Sequence, residues 1–122
     1  MTVSARPKIL FADDNDAVRR TGNLVLEPVA DVTCVEDGEA ALAACAGTRF
    51  DLVFLDIHMP VLDGMAACSS LREGGYAAPG FALSADLEVR DRAEYEAAGF
   101  DGFVPKPVQP RELLRIVLEN SR

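Results

Sequence analysis

Leu52-Val53-Phe54-Leu55 is an unbroken apolar run, and Asp56 follows it directly. A second run, Ile9-Leu10-Phe11-Ala12, ends in the same way on Asp13-Asp14. A third, Phe81-Ala82-Leu83, ends on Ser84, and a fourth, Phe103-Val104, leads through Pro105 to Lys106. Short runs that are apolar on both faces mark buried parallel strands, which are covered by helices on either side. Carboxylates at the ends of such strands are costly unless something charged sits among them. The same residues therefore speak for a fold and for a chemistry.

The stretches between the runs have helical character. Residues 8–12 read as a first strand, after which Asp14 or Asn15 can cap a helix to about Glu27, where Pro28 stops it. Residues 32–35 form a short second strand, and Asp37-Gly38 opens an Ala-rich helix to about Ala46 with Gly47 as a left-handed stop. Residues 51–55 form the third strand. After the loop His58-Met59-Pro60-Val61-Leu62, Asp63 can cap a helix to about Glu73, ended by Gly74-Gly75. The fourth strand is expected over 80–84 and the fourth helix over 86–98, with Gly99 as its stop. The fifth strand covers 102–105, and Pro110 suits the first turn of a last helix running to about Asn120. Five βα repeats fit a doubly wound α/β sandwich, with helices on both faces of a five-stranded parallel sheet. Ligands of such sheets bind outside the carboxyl ends of the strands, where the winding reverses. Asp13, Asp14, Asp56, Ser84 and Lys106 all fall at those ends.

At 122 residues the chain is expected to form one domain, with its core at about 8–121. A composition of 49% hydrophobic and 26% charged residues is that of a soluble globular protein. The net charge of -8 speaks against direct nucleic-acid binding, which needs a basic stripe to neutralise phosphates. No apolar run approaches a membrane span and the start lacks a signal-peptide core, so a cytoplasmic protein is expected. Cys34, Cys45 and Cys68 show no C-x-x-C spacing and read as reduced, packed thiols.

Three carboxylates gathered within a few ångströms either shift upward in pKa or recruit a cation. Oxygen ligands with room for water suit Mg2+. Asp14 and Asp56 are the expected direct ligands, with Asp13 acting through water and the backbone carbonyl of His58 reaching the same ion. Beside that charge Asp56 becomes a nucleophile toward an activated phosphoryl group. Lys106 supplies a cation for one phosphoryl oxygen, and Ser84 a hydroxyl donor for another. Ala85 is small and leaves space for a donor.

With these residues in place, the chain resembles the response-regulator receiver domains of two-component signalling over nearly its whole length. The resemblance rests on Asp13-Asp14, on Asp56 within the stretch ending Met59-Pro60-Val61-Leu62-Asp63-Gly64, on Ser84-Ala85 and on Lys106-Pro107. It implies a flavodoxin-like (βα)5 fold with strand order 2-1-3-4-5. It implies that Asp56 accepts a phosphoryl group from a histidine kinase or phosphotransfer domain with Mg2+, followed by slow self-catalysed hydrolysis and no other enzymatic activity. It further implies a switch in which Ser84 moves toward the phosphoryl group and Phe103 turns inward. The signal then reaches an effector, or a second copy in a phosphorylation-dependent dimer, through the face of the fourth helix, fifth strand and fifth helix. A cis peptide between Lys106 and Pro107 belongs to the same pattern. Ser84 stands where threonine is commoner and Phe103 where tyrosine is. Pro105 removes a donor from the fifth strand, and Gly80 in the fourth has no explanation in the sequence.

Other readings remain open at this level. Asp13-Asp14 alone is a plausible helix cap, and His58, the sole histidine, reads as an exposed loop side chain whose backbone does the coordinating. Asp14-Asn15-Asp16 mimics the D-x-D start of an aspartate-nucleophile phosphohydrolase, which has no use for Asp56. An FMN carrier on the same winding would set a flavin phosphate against an acidic edge and has no Trp to stack on it. Within the receiver reading, the chain suits a stand-alone regulator or a receiver segment of a hybrid histidine kinase.

Overall fold

Short apolar runs and amphipathic stretches resolve into ten elements in the computed structural model, which describes residues 6–86 and 88–120, with the backbone alone at Val89. In chain order these are β1 (Lys8–Ala12), α1 (Asp16–Leu26), β2 (Asp31–Val35), α2 (Gly38–Gly47), β3 (Leu52–Asp56), α3 (Gly64–Glu73), β4 (Gly80–Ser84), α4 (Val89–Ala97), β5 (Gly102–Pro105) and α5 (Pro110–Asn120). The chain limits expected from the sequence, at 1, 121 and 122, fall outside the described residues.

The strands form one sheet in the order β2-β1-β3-β4-β5, every neighbouring pair parallel. β3 is buried along its whole length, as its apolar run requires. Alternate side chains of the central strands feed two cores, because successive residues of a strand point to opposite faces. Ile9, Phe11, Leu52, Phe54 and Leu83 pack with Leu26 of α1 and with Leu113, Ile116 and Val117 of α5. Leu10, Ala12, Val53 and Leu55 pack on the other face with Ala41, Cys45, Ala67, Cys68 and Tyr95 from α2, α3 and α4. Each fully buried Leu, Ile or Phe stabilises the sandwich by about 1.5–3 kcal/mol, so the sheet is held rigidly between its two helical layers. That rigidity fixes the positions of the strand ends.

Asn15, Asp37 and Asp63 cap α1, α2 and α3 as the sequence suggests. Their side-chain oxygens accept from Val18, Ala40 and Ala66 N–H at 3.1, 2.7 and 2.8 Å. Three expectations need correction. α4 begins at Val89 and not at Asp86; Glu88 precedes it, its own N–H donating to Asp91 Oδ2 at 3.3 Å. Asp86 cannot start the helix because its carbonyl accepts the Tyr95 hydroxyl at 2.8 Å. Gly75 and Gly99 do end their helices at φ of 82° and 105°, whereas Gly47 is the last residue of α2 without a left-handed turn. Cys45 and Cys68 are buried, with burial pushing both thiols above their ordinary pKa, but Cys34 is exposed on the edge strand β2. Gly80 gains an explanation: a Cβ there would stand 3.2 Å from Arg72 Nη2. That guanidinium is held by Asp101 at 3.1 Å, and the same Asp101 oxygen accepts the Gly80 N–H at 2.9 Å. Among the described residues no helix is long and apolar enough to cross a membrane.

Candidate functional site

The sheet register decides which side chains meet. β1 lies between β2 and β3, and its end at Ala12 pairs with Leu55, so Asp13 and Asp56 emerge side by side. Asp56 pairs with Leu83 on the next strand, which sets Ser84 one residue further along. The Lys106 N–H donates to the Ser84 carbonyl at 3.0 Å and aligns the lysine with the same edge. Four strand ends thus deliver their polar residues to one rim.

Asp13 is fully buried and braced from the backbone. Its Oδ1 accepts the Asn15 N–H at 2.9 Å, and its carbonyl accepts Arg19 Nη1 at 2.8 Å. Its Oδ2 is buried and accepts no well-aligned hydrogen bond among the described residues, although the Lys106 ammonium stands 2.9 Å away as an ion-pair partner. The same ammonium lies 3.1 Å from Asp56 Oδ1, which also receives the His58 N–H at 3.3 Å. Asp14 is exposed at the mouth. Carboxylate oxygens of Asp13, Asp14 and Asp56 all lie within 4.8 Å of one another.

Electrostatics follow from that crowding. Burial, and then the Asp13 charge, push the Asp56 carboxyl up to about 6, against the opposing pull of Lys106 and the His58 N–H. Burial alone would lower the Lys106 ammonium, but its close contacts with the charges of Asp13 and Asp56 outweigh it and hold its pKa above the usual value. One ammonium is shared between two buried carboxylates, and a third lies within reach. An under-satisfied buried oxygen among clustered carboxylates fits a hard cation with oxygen ligands.

The loop from Ile57 to Asp63 is shaped around Asp56. The Gly64 N–H donates to the Ile57 carbonyl at 3.0 Å, and a Cβ on Gly64 would stand 2.1 Å from the Asp56 carbonyl oxygen. Only glycine lets α3 approach β3 this closely. Val61 has a φ of 69° and is spanned by a Leu62 N–H to Pro60 carbonyl bond of 2.7 Å, a tight three-residue turn. A β-branched residue is strained there, by about 1–2 kcal/mol. Val61→Asn, in a side chain 73% exposed, is expected to raise stability by about 1 kcal/mol in urea denaturation, because asparagine tolerates this backbone. An unchanged or lower midpoint would show that the turn carries no strain.

The sequence-expected residues Asp13, Asp14, Asp56 and Lys106 are brought together. The His58 peptide joins them through its N–H. Its ring points elsewhere, with Nε2 3.3 Å from Asp86 Oδ2 across the mouth. Ser84 is buried at the same rim, bonded to Tyr95 and Asp86, and Phe103 is half-buried with its ring 5.7 Å from that of Tyr95. Sequence reasoning missed Tyr95 and the bridging role of Asp86. The available signal was a lone aromatic residue in the largely charged helix Val89–Ala97.

A doubly wound 2-1-3-4-5 sheet with acidic residues and a lysine at its carboxyl rim is the architecture of chemotaxis-receiver-like proteins. The chain belongs to the response regulator receiver domain family, whose model matches residues 9–118. Protein PilG of Pseudomonas aeruginosa is 34% identical over 110 residues, covering 88% of this chain and 82% of PilG. Sensor histidine kinase GacS of Pseudomonas protegens is 34% identical over 125 residues, and there the match covers 97% of this chain but only 14% of the kinase. Among solved structures, chemotaxis response regulator CheY4 of Vibrio cholerae superposes with a TM-score of 0.89 at 27% identity, covering 94% of this chain and 98% of CheY4. The receiver domain of Francisella response regulator 1452 gives 0.88 at 29% identity, covering 95% and 98%.

Proposed function

We propose that this receiver, working as a single domain, takes a phosphoryl group on Asp56 from a phosphohistidine of a histidine kinase or phosphotransfer domain. The observation that carries the reading is the ion pairing of Lys106 with both Asp13 and Asp56 in a buried acidic pocket. The Asp56 carboxylate attacks phosphorus, the Asp56 O–P bond forms, and the P–N bond of the donor breaks as its imidazole leaves. Hydrolysis returns the free carboxylate: water attacks phosphorus, the Asp56 O–P bond breaks with its electron pair kept by the carboxylate, and the water's protons leave with inorganic phosphate or to solvent. With a pKa of about 6, Asp56 is mostly ionised at neutral pH and is a ready nucleophile. Lys106 neutralises one phosphoryl oxygen and Ser84 donates to another.

Asp13, Asp14, Asp56 and the His58 carbonyl would hold Mg2+, which supplies charge neutralisation for the transferring group. A partly apolar cleft of about 490 Å³ lined by Asn15, Val18, Thr21, Lys106, Pro107 and Val108 borders the site and supports docking of the donor there. Ser84 and Phe103 then relay occupancy to the surface of α4, β5 and α5, where an effector or a second copy binds. A cytoplasmic setting belongs to this proposal, since kinase donors of this chemistry use ATP. The phosphohydrolase reading gains no support, because the carboxylate that Lys106 holds beside Asp13 is Asp56 and not Asp14.

Acetyl phosphate provides the test. Incubated with it and Mg2+, the protein is expected to gain one phosphoryl group by intact mass, and to gain almost none when EDTA replaces the metal. An unmodified mass in saturating donor and Mg2+ would overturn the proposal.

A further inference from the structure

Tyr95 is a buried side chain, 4% exposed, in a helix whose sequence is largely charged. Its ring meets Phe100 edge-on at 6.4 Å and Phe103 at 5.7 Å. Its hydroxyl lies 2.8 Å from the Asp86 carbonyl and 3.0 Å from Ser84 Oγ. The Asp86 N–H in turn reaches Ser84 Oγ at 2.9 Å. Ser84 Oγ also lies 3.4 Å from the Asp86 carbonyl, the longest of these contacts.

Counting protons settles the direction of these bonds. A carbonyl can only accept, so the Tyr95 O–H donates to Asp86. Its single proton is then used, and Tyr95 Oη can only accept from Ser84. Ser84 receives from the Asp86 N–H and gives its own proton to Tyr95. The three bonds close into a ring in which every proton is used once, and the better geometry at 3.0 Å takes the Ser84 proton from the 3.4 Å contact.

A phosphoryl oxygen accepts and cannot donate, so Ser84 can engage one only by withdrawing its proton from Tyr95. We infer that Tyr95 is a positioning residue that latches Ser84 in the resting receiver, and that this hydroxyl pair must part before Ser84 reaches a phosphoryl group on Asp56. The inference rests on the phosphoacceptor reading of Asp56 given above. Phe103 has no hydroxyl and cannot share the task, so the polar link from the site to the helical surface runs through α4. Parting of the pair frees Tyr95 to shift against Phe103. The Asp86 segment is bound into the same unit, and its carboxylate pairs with His58 beside the acceptor loop.

The test compares wild type, Tyr95→Phe, Ser84→Ala and the double variant for the rate of phosphoryl uptake from acetyl phosphate with Mg2+. Tyr95→Phe keeps the ring between Phe100 and Phe103 and removes only the hydroxyl. It is expected to take up phosphoryl about three- to tenfold faster than wild type, the range that the net worth of the Ser84–Tyr95 bond allows, since the Tyr95–Asp86 bond is lost with the hydroxyl in either serine background. In the Ser84→Ala background the same change is expected to have no effect, because the pair is already broken. A second readout needs no substitution. In wild type carrying 3-fluorotyrosine, the 19F resonance of Tyr95 should shift on phosphorylation while that of Tyr76 stays in place. Equal uptake by wild type and Tyr95→Phe, or an equal gain in the Ser84→Ala background, overturns the latch while leaving Asp56 as acceptor. A Tyr95 resonance that does not move in fully labelled protein overturns it too. Wild type that takes up no phosphoryl removes the acceptor reading and the latch together.

Discussion

Asp56→Asn is expected to reduce phosphoryl uptake from acetyl phosphate and Mg2+ to background, whereas Asp63→Asn takes it up as wild type does. The amide is close to the carboxylate in shape, so β3 and its flanking cores are undisturbed. It offers no charged oxygen to attack phosphorus, and it removes one of the three carboxylates that lie within 4.8 Å of one another. Asp63 is the matched control because it sits seven residues downstream on the same loop and does a different job. Its Oδ1 accepts the Ala66 N–H at 2.8 Å as the cap of α3, and asparagine caps a helix about as well. Intact mass reads both variants in one experiment. Labelling of Asp56→Asn at the wild-type level would move the acceptor elsewhere. Loss of labelling in Asp63→Asn would show that the loop geometry, and not the acceptor alone, had been disturbed.

The rim of the sheet was legible because its residues break a strong pattern. Asp13, Asp56 and Ser84 end runs of buried apolar residues, and only position in a parallel sheet makes such endings converge. Helix caps were equally readable at Asn15, Asp37 and Asp63, where the bond runs to a residue three positions on. Asp86 misled for the opposite reason. Local preference makes it a good cap, but its N–H is claimed by Ser84 and its carbonyl by Tyr95, a partner nine residues on that local preference does not see. Gly80 was opaque because its constraint comes from Arg72 and Asp101, on α3 and ahead of β5. Tyr95 carried the faintest signal of all. A single tyrosine in a charged helix looks like ordinary packing until its hydroxyl is seen to meet Ser84.

With divalent cations chelated, Asp56→Asn is expected to be the more stable protein at neutral pH, and to lose that advantage in acid. Burial and the Asp13 charge raise the Asp56 pKa in the folded chain to about 6, against about 3.9 for an unperturbed aspartate. The folded state therefore holds this proton more tightly than the unfolded one. Stability from the group is fully present below the unfolded pKa and is lost as pH rises through the folded value. That pKa difference corresponds to about 3 kcal/mol at the upper limit, with the attraction of Lys106 already counted in it. A gain of about 1–3 kcal/mol at pH 8 is expected, shrinking between pH 6 and 4 and near zero at pH 4. Urea denaturation in EDTA across that range measures it directly. An advantage that grows toward acid would mean that Lys106 dominates and that the ionised carboxylate is a stabilising partner. Millimolar Mg2+ should then narrow the gap at pH 8, since an ion bound only by the native acidic pocket stabilises wild type more than a variant lacking one carboxylate. Under the proposed function, the charge that destabilises the resting protein is the one with which Asp56 attacks phosphorus.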